Sequence, residues 1–148
     1  MGFSWILGED LTLDLGTSNT LIYSKRKDGK IMEPSVVAVD LNNYEIVAVG
    51  EKAKNMEGKT PDNIITLAPI KGGKIINFEI AQVMLTNLLK KAKSSFSVFH
   101  PKVHIAISSG ISEVDRRAIE DCVIYSKRSC VCNWNGTSGF RTVRKYCG

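Results

Sequence analysis

The sequence predicts an α/β fold, and three observations carry the prediction. Short runs such as "DLTLDL" and "YEIVAVG" show the two-residue alternation of strands, and most of them fall in the first fifty residues. Two longer stretches, after Asn77 and after Ser112, repeat apolar residues at helical spacing. Between them "VHIAIS" is a short apolar run of the buried-strand kind. Strands followed by helix, strand and helix call for a sheet with helices laid on it, and 148 residues are enough to bury a core.

In chain order, "DLTLDL" and "NTLIYS" pair as a hairpin around a polar string, and "RKDGK" is a turn built on Asp-Gly. "EPSVVAVD" and "YEIVAVG" are two further strands joined by "LNN", so the first fifty residues read as a meander. "EKAKNMEGKTPDN" permits helix up to Gly58 and then loop. Asn77 is an N-cap for a helix running from Phe78 to about Lys93, with Ile80, Val83, Met84 and Leu88 on one face. Ser112 caps a second helix with Val114, Ala118 and Cys122 in register.

Composition narrows the function classes. Hydrophobic residues make up 43% and charged residues 24%, the balance of an ordinary soluble protein. "MGFSWIL" is too short to span a membrane and lacks the basic start of a signal peptide, so an intracellular protein is expected. The net charge of +5 comes entirely from Lys127, Arg128, Arg141, Arg144 and Lys145, and no acidic residue follows Asp121. Cys130, Cys132 and Cys147 crowd the same stretch. The chain therefore divides into residues 1–126 and an aberrant basic tail, 127–148, expected to be disordered. Trp134, Phe140 and Tyr146 are too irregularly spaced to serve as a base-stacking platform, so no nucleic-acid partner is expected. His100, His104 and Cys130-x-Cys132 lack metal-ligand spacing, and Cys122 reads as a small core residue. Arg116 and Arg117, at a helix start, read as solvated side chains.

The polar string inside "LTLDLGTSNTLIYS" needs its own explanation. A phosphate needs backbone N–H donors and freedom from steric bulk; Gly16 supplies the freedom, and Thr17, Ser18 and Asn19 can add side-chain donors. Asp14 repels a phosphate directly but can hold a water on Mg²⁺, which keeps much of its hydration shell in nucleotide sites. The other reading is a plain polar hairpin turn with Asp14 capping a backbone amide. Pattern alone leaves both open.

"DLGTSNTLIY" resembles the first phosphate loop of the actin-like ATPases, in particular the MreB family of bacterial rod-shape proteins. The likeness continues in order through "EPSVVAVD", "AVGEKAKNMEGKTPDNI", "PIKGGKIINFEIAQVML" and "FHPKVHIAISSGISEVDRRAIED", covering roughly residues 8–126. It implies the first lobe of an actin-like (ribonuclease H-like) ATPase with a small inserted subdomain, incomplete. It further implies ATP and Mg²⁺ as cofactors, with Gly16, Thr17, Ser18 and Asn19 around the phosphates and Asp14 reaching the magnesium through water. "GISEVDRRA" resembles a family segment whose acidic residue helps position the attacking water; that position is Asp115, where the family usually has Glu. Ser112-x-x-Asp115 is equally close to a capping box.

The apolar residues of "SSFSVFHPK", Phe96, Val98 and Phe99, fall in a helix-to-strand loop and mark a contact. They resemble the family's membrane-touching loop, with Trp5 of "MGFSWIL" as a second anchor. The resemblance thus implies a cytoplasmic, peripherally membrane-associated filament subunit. Its partners would be further copies of itself, the inner membrane surface and the cell-wall elongation machinery. A second phosphate loop and an adenosine motif, which come later in such chains, have no counterpart here, so impaired ATP hydrolysis is expected. Permissive codons let a one-base shift after about Ser126 spell a segment close to the family's continuation, so the tail is expected to be a frameshifted extension. A kinase or chaperone ATPase of the same superfamily, and a nonenzymatic polymer-contact fragment, are the alternatives.

Overall fold

The computed structural model describes residues 10–25, 28–93, 102–107 and 110–126, with the backbone of 130–131 and 140–142. Three strands open the chain: β1 (Asp10–Leu15), β2 (Asn19–Ser24) and β3 (Gly29–Pro34). Next come β4 (Val37–Asp40), β5 (Glu45–Val49), α1 (Glu51–Met56), β6 (Ile64–Leu67) and the short pair β7 (Ile70–Lys71) and β8 (Lys74–Ile75). The rest is α2 (Phe78–Ala92), β9 (Lys102–Ala106), α3 (Glu113–Tyr125), β10 (Cys130–Val131) and β11 (Phe140–Thr142).

The larger sheet runs β10-β9-β1-β2-β3, with β11 also pairing β9. The first three strands are antiparallel, whereas β9 returns parallel to β1 by way of the α2 crossover. Strand alternation decides which side is buried: Leu11, Leu13 and Leu15 of β1 face inward, and Asp14 faces out. Register aligns the inward residues, with Leu13 opposite Ile22 on one side and Ile105 on the other. The backbone of β10 and β11 lies along the remaining edge of β9, at Lys102–Val103 and His104–Ala106 respectively.

The expected single meander is two sheets. Pro34, lacking an N–H, ends β3 on the outer edge, so the "EPSVVAVD" run breaks at Ser35 and restarts as β4 in a separate sheet of order β5-β4-β6. Val37, Ala38 and Val39 are all buried there, and Ala53 of α1 is buried with them. Glu33 ties the two sheets together. Its Oε1 lies 2.7 Å from Lys91 Nζ on α2, and its Oε2 accepts the Glu51 N–H at the start of α1 at 3.0 Å.

Helix α2 matches its expected limits. The Asn77 side chain accepts the Ile80 N–H at 3.0 Å, and Lys90 and Lys91 sit in the last turn, where the helix dipole favours cations. Its buried stripe is Ala81, Met84, Leu85, Leu88, Leu89 and Ala92. Val83, expected on that face, lies one position off the stripe and is 38% exposed. In α3 the buried residues are Ile119, Cys122 and Val123, while Val114 is 77% exposed. The cause is that α3 meets α2 through its C-terminal half: Gln82 donates to the Tyr125 carbonyl at 2.8 Å, and the Phe78 and Tyr125 rings meet edge to face at 6.4 Å. Cys122 is a core residue, and burial pushes its thiol up to about 12. No helix among the described residues is long and apolar enough to cross a membrane.

Candidate functional site

The polar string forms the tight end of the β1–β2 hairpin. The Gly16 N–H donates to the Asn19 carbonyl at 3.1 Å, and a Cβ at position 16 would stand 2.5 Å from that same oxygen. Glycine is required here by space. Beneath the turn lies Ser35, fully buried, whose N–H donates to the Ser18 carbonyl at 2.9 Å and whose hydroxyl donates to the Gly16 carbonyl at 2.8 Å. Since the Ser35 hydroxyl proton is committed to Gly16, the buried Thr20 hydroxyl donates to Ser35 Oγ at 2.9 Å.

This inward anchoring has an electrostatic consequence. Every peptide bond among the described residues is trans, so C=O and N–H point in opposite directions across each peptide plane. With the Gly16 and Ser18 carbonyls drawn down to Ser35, the Thr17 and Asn19 N–H groups point away from it. Thr17, Ser18 and Asn19 are exposed, as is Asp14 on the outward face of β1. The turn therefore presents amide donors on its open side with one carboxylate beside them. That is the donor set a polyphosphate with a hydrated Mg²⁺ requires, and the residues fit such a group. Among the described residues no cluster of three or more His, Cys, Asp or Glu gathers to hold a metal, so Asp14 would need phosphate oxygens and water as its co-ligands.

The β7–β8 hairpin connects this turn to α3. The Gly72 N–H donates to Thr17 Oγ1 at 2.8 Å, and two residues on Lys74 Nζ lies 3.3 Å from Asp115 Oδ2. Asp115 also closes the α3 cap: Ser112 Oγ accepts the Asp115 N–H at 3.1 Å and donates to Asp115 Oδ2 at 2.6 Å. The Ser112 hydroxyl is the main cause holding the Asp115 carboxyl below the usual carboxylate range; slight burial opposes it and Lys74 adds to it. Arg116, expected to be solvated, has its guanidinium gathered by Glu113 and Glu120 and is largely covered, while Arg117 is exposed. Trp5, Phe96, Val98 and Phe99 lie outside the described residues.

Sequence reasoning passed over Ser35, Thr20, Gly72 and Lys74. "KGGK" carries the Gly-Gly signal of a two-residue hairpin and could have been read as one. Ser35 offers no comparable signal, because its partners lie fifteen or more residues away.

Comparison with known proteins identifies the family and the fold. A family profile described as MreB/Mbl protein matches residues 8–128. The cell shape-determining protein Mbl of Bacillus cereus is 42% identical over 118 residues, covering 78% of this chain and 35% of the relative. MreB of Escherichia coli K12 is 40% identical over 124 residues, covering 80% and 36%. Among solved structures, MreB5 of Spiroplasma citri bound to ADP superposes with a TM-score of 0.71 at 29% identity, over 82% of this chain and 36% of that one. The MamK double helical filament, at 22% identity and a TM-score of 0.63, shares the fold. The chain thus spans about a third of the length of the relatives it matches. With a matching profile over most of its residues and an actin-like architecture around the β1–β2 turn, the chain belongs to the MreB/Mbl family of cell shape-determining proteins.

Proposed function

We propose that this chain is the phosphate-binding first lobe of an ATP-switched filament subunit that guides cell-wall growth. The observation that carries the reading is the β1–β2 turn, whose carbonyls are held inward by Ser35 so that its amide edge is left facing out. The Thr17 and Asn19 N–H groups with the Thr17, Ser18 and Asn19 side chains would hold the phosphates, and Asp14 would orient a water on the magnesium. ATP, when bound, supplies a γ-phosphoryl group that hydrolysis can remove. The lobe binds, orients and neutralises; catalysis needs a closed site, because a phosphate left open to water gains little from fixed dipoles.

Asp115 serves this reading as a positioning residue. Through Lys74 it anchors the hairpin whose Gly72 N–H holds Thr17. A filament of such subunits at the cytoplasmic face of the inner membrane, touching it through Trp5, Phe96, Val98 and Phe99 and working with the wall-elongation machinery, completes the reading. The relatives' names carry the cell-shape part of it, and the MamK filament carries the self-association. We also propose that residues 127–148 are read out of frame, since the composition break after Ser126 falls within two residues of the end of the family match.

The test is sedimentation and calorimetric titration of the 148-residue chain with ATP and Mg²⁺, and with ATP and a chelator. Magnesium-dependent binding that Asp14→Asn weakens supports the reading. Pelleting indifferent to nucleotide, with no heat of ATP binding, would leave only a polymer-contact fragment.

A further inference from the structure

A second concave feature lies away from the phosphate turn, where the two sheets meet. A cleft of 290 Å³ opens between β5, the start of α1 and the outer face of α2. Its floor is Leu88, fully buried, and Val49; its walls are Val47 on β5 and Val83 on α2, which are 49% and 38% exposed. A strand residue and a helix residue, both apolar and partly in water, thus line one cleft.

The polar part of the lining is one-sided. Lys52 and Lys91 reach the cleft, Asn87 adds an amide, and no acidic residue lines it. Lys91 is held by Glu33 at 2.7 Å, whereas Lys52 makes no ion pair among the described residues. One Asn87 N–H is committed to the Val83 carbonyl at 2.9 Å, leaving the rest of the amide for the cleft. A trough of mixed lining, apolar at Val47, Val83 and Leu88 and cationic at Lys52, is complementary to a molecule with a hydrocarbon body and an anionic end. The volume sits at the lower end of small-ligand sites, which suits one medium-length chain or a single ring and excludes a docked helix.

We propose that this cleft binds a small amphiphilic carboxylate of the medium-chain alkanoate class, its carboxylate on Lys52 and its hydrocarbon between Val47 and Val83. The lining comes from both sheets' elements, β5 and α1 on one side and α2 on the other, so occupancy would fasten the junction that Glu33 already clasps. Nothing in this depends on nucleotide at the β1–β2 turn.

Octanoate titrated into the ¹⁵N-labelled chain, with octanol as the neutral probe of equal length, tests it. Saturable shifts at the Val47, Val83 and Asn87 amides are expected, with octanoate binding about tenfold more tightly than octanol. Lys52→Met, a change at an exposed site, should bring octanoate down to the octanol level with an unaltered amide spectrum. Val83→Asp should abolish both. Equal affinity for the two probes, octanoate binding untouched by Lys52→Met, or the lack of a saturable shift would each overturn the proposal. So would shifts at Val83 and Asn87 that follow chain concentration instead of octanoate, since they would mark the face as an interface between copies.

Discussion

Ser35 lies directly beneath Gly16, donating its hydroxyl to the Gly16 carbonyl at 2.8 Å from a fully buried position, while its own N–H holds the Ser18 carbonyl at 2.9 Å. One side chain and one amide thus set the orientation of the whole phosphate turn. Ser35→Ala would leave the Gly16 carbonyl and the Thr20 hydroxyl without their partner in a dry place, a cost of about 1–3 kcal/mol. Urea denaturation should show that loss, and the same variant should bind ATP more weakly because the Gly16 peptide is released to rotate.

Gly16→Ala acts on the same turn by steric means. The added methyl meets the Asn19 carbonyl at 2.5 Å, so the turn must open and the Gly16–Asn19 hydrogen bond is lost. The sheet beneath it stays intact. Titration calorimetry should find ATP affinity down by roughly tenfold or more, a loss of about 1.4 kcal/mol, with a far-ultraviolet circular dichroism spectrum like that of the parent.

Glu33 makes stability depend on pH at the junction of the sheets. Burial raises its pKa, but the Lys91 ammonium and the Glu51 N–H together outweigh that and hold it below the ordinary 4.5. A lowered carboxylate contributes stability that is complete above the unfolded value and drains as pH falls from about 4.5 through the folded value. Glu33→Gln should flatten that acid limb and cost about 1 kcal/mol at neutral pH, a figure kept small because Lys91 is 46% exposed. Gly50→Ala should do more damage. Its φ of +69° is left-handed, and its new methyl would sit 2.2 Å from Glu33 Oε2, so the strain of roughly 1–2 kcal/mol comes with a broken clasp. Thermal melts from pH 3 to 7 separate the two variants.

What could be read from the chain and what could not divide along sequence distance. The cap of α2 was legible because Asn77 and the Ile80 N–H it accepts are three residues apart. Gly16 was legible because its neighbour in the turn is Asn19. The contacts that give the turn its orientation join 16 to 35, 17 to 72 and 74 to 115, and no local pattern encodes them. Val83 and Val114 show the other limit. Helical spacing marks a face as apolar, but where α3 crosses α2 decides which part of that face is covered, and the crossing covers the C-terminal half of α3. The Glu33 clasp joins strand β3 to helices α1 and α2, so it becomes visible only once the "EPSVVAVD" run is seen to break at Ser35.

The link from α3 to the phosphate turn runs through side chains that can be removed singly. Ser112→Ala deletes the α3 N-cap and should cost about 1 kcal/mol in a denaturant titration. Lys74→Met breaks the contact with Asp115 without touching the cap, so its effect should appear at the hairpin and not in global stability. Hydrogen exchange is the measurement: the Gly72 amide, bonded to Thr17 Oγ1, should exchange faster in Lys74→Met while the α3 amides keep their protection. Unchanged exchange at Gly72 would mean that Asp115 serves α3 alone.

Acidic residues stop at Asp121, the family match stops at residue 128, and the excess positive charge begins at Lys127. Pairing of β10 and β11 with β9 does not argue against a foreign tail, because an open strand edge bonds to backbone of any sequence. The frameshift proposed above, a single inserted or missing base near the Ser126 codon, would account for all three breaks at once. Sequencing from the Arg117 codon to well past the stop should reveal it, with the restored frame running on into a second Gly-rich phosphate loop. A frame that stands as written overturns the proposal, and the basic tail then belongs to the protein, with ATP-dependent assembly to be measured on the 148-residue chain itself.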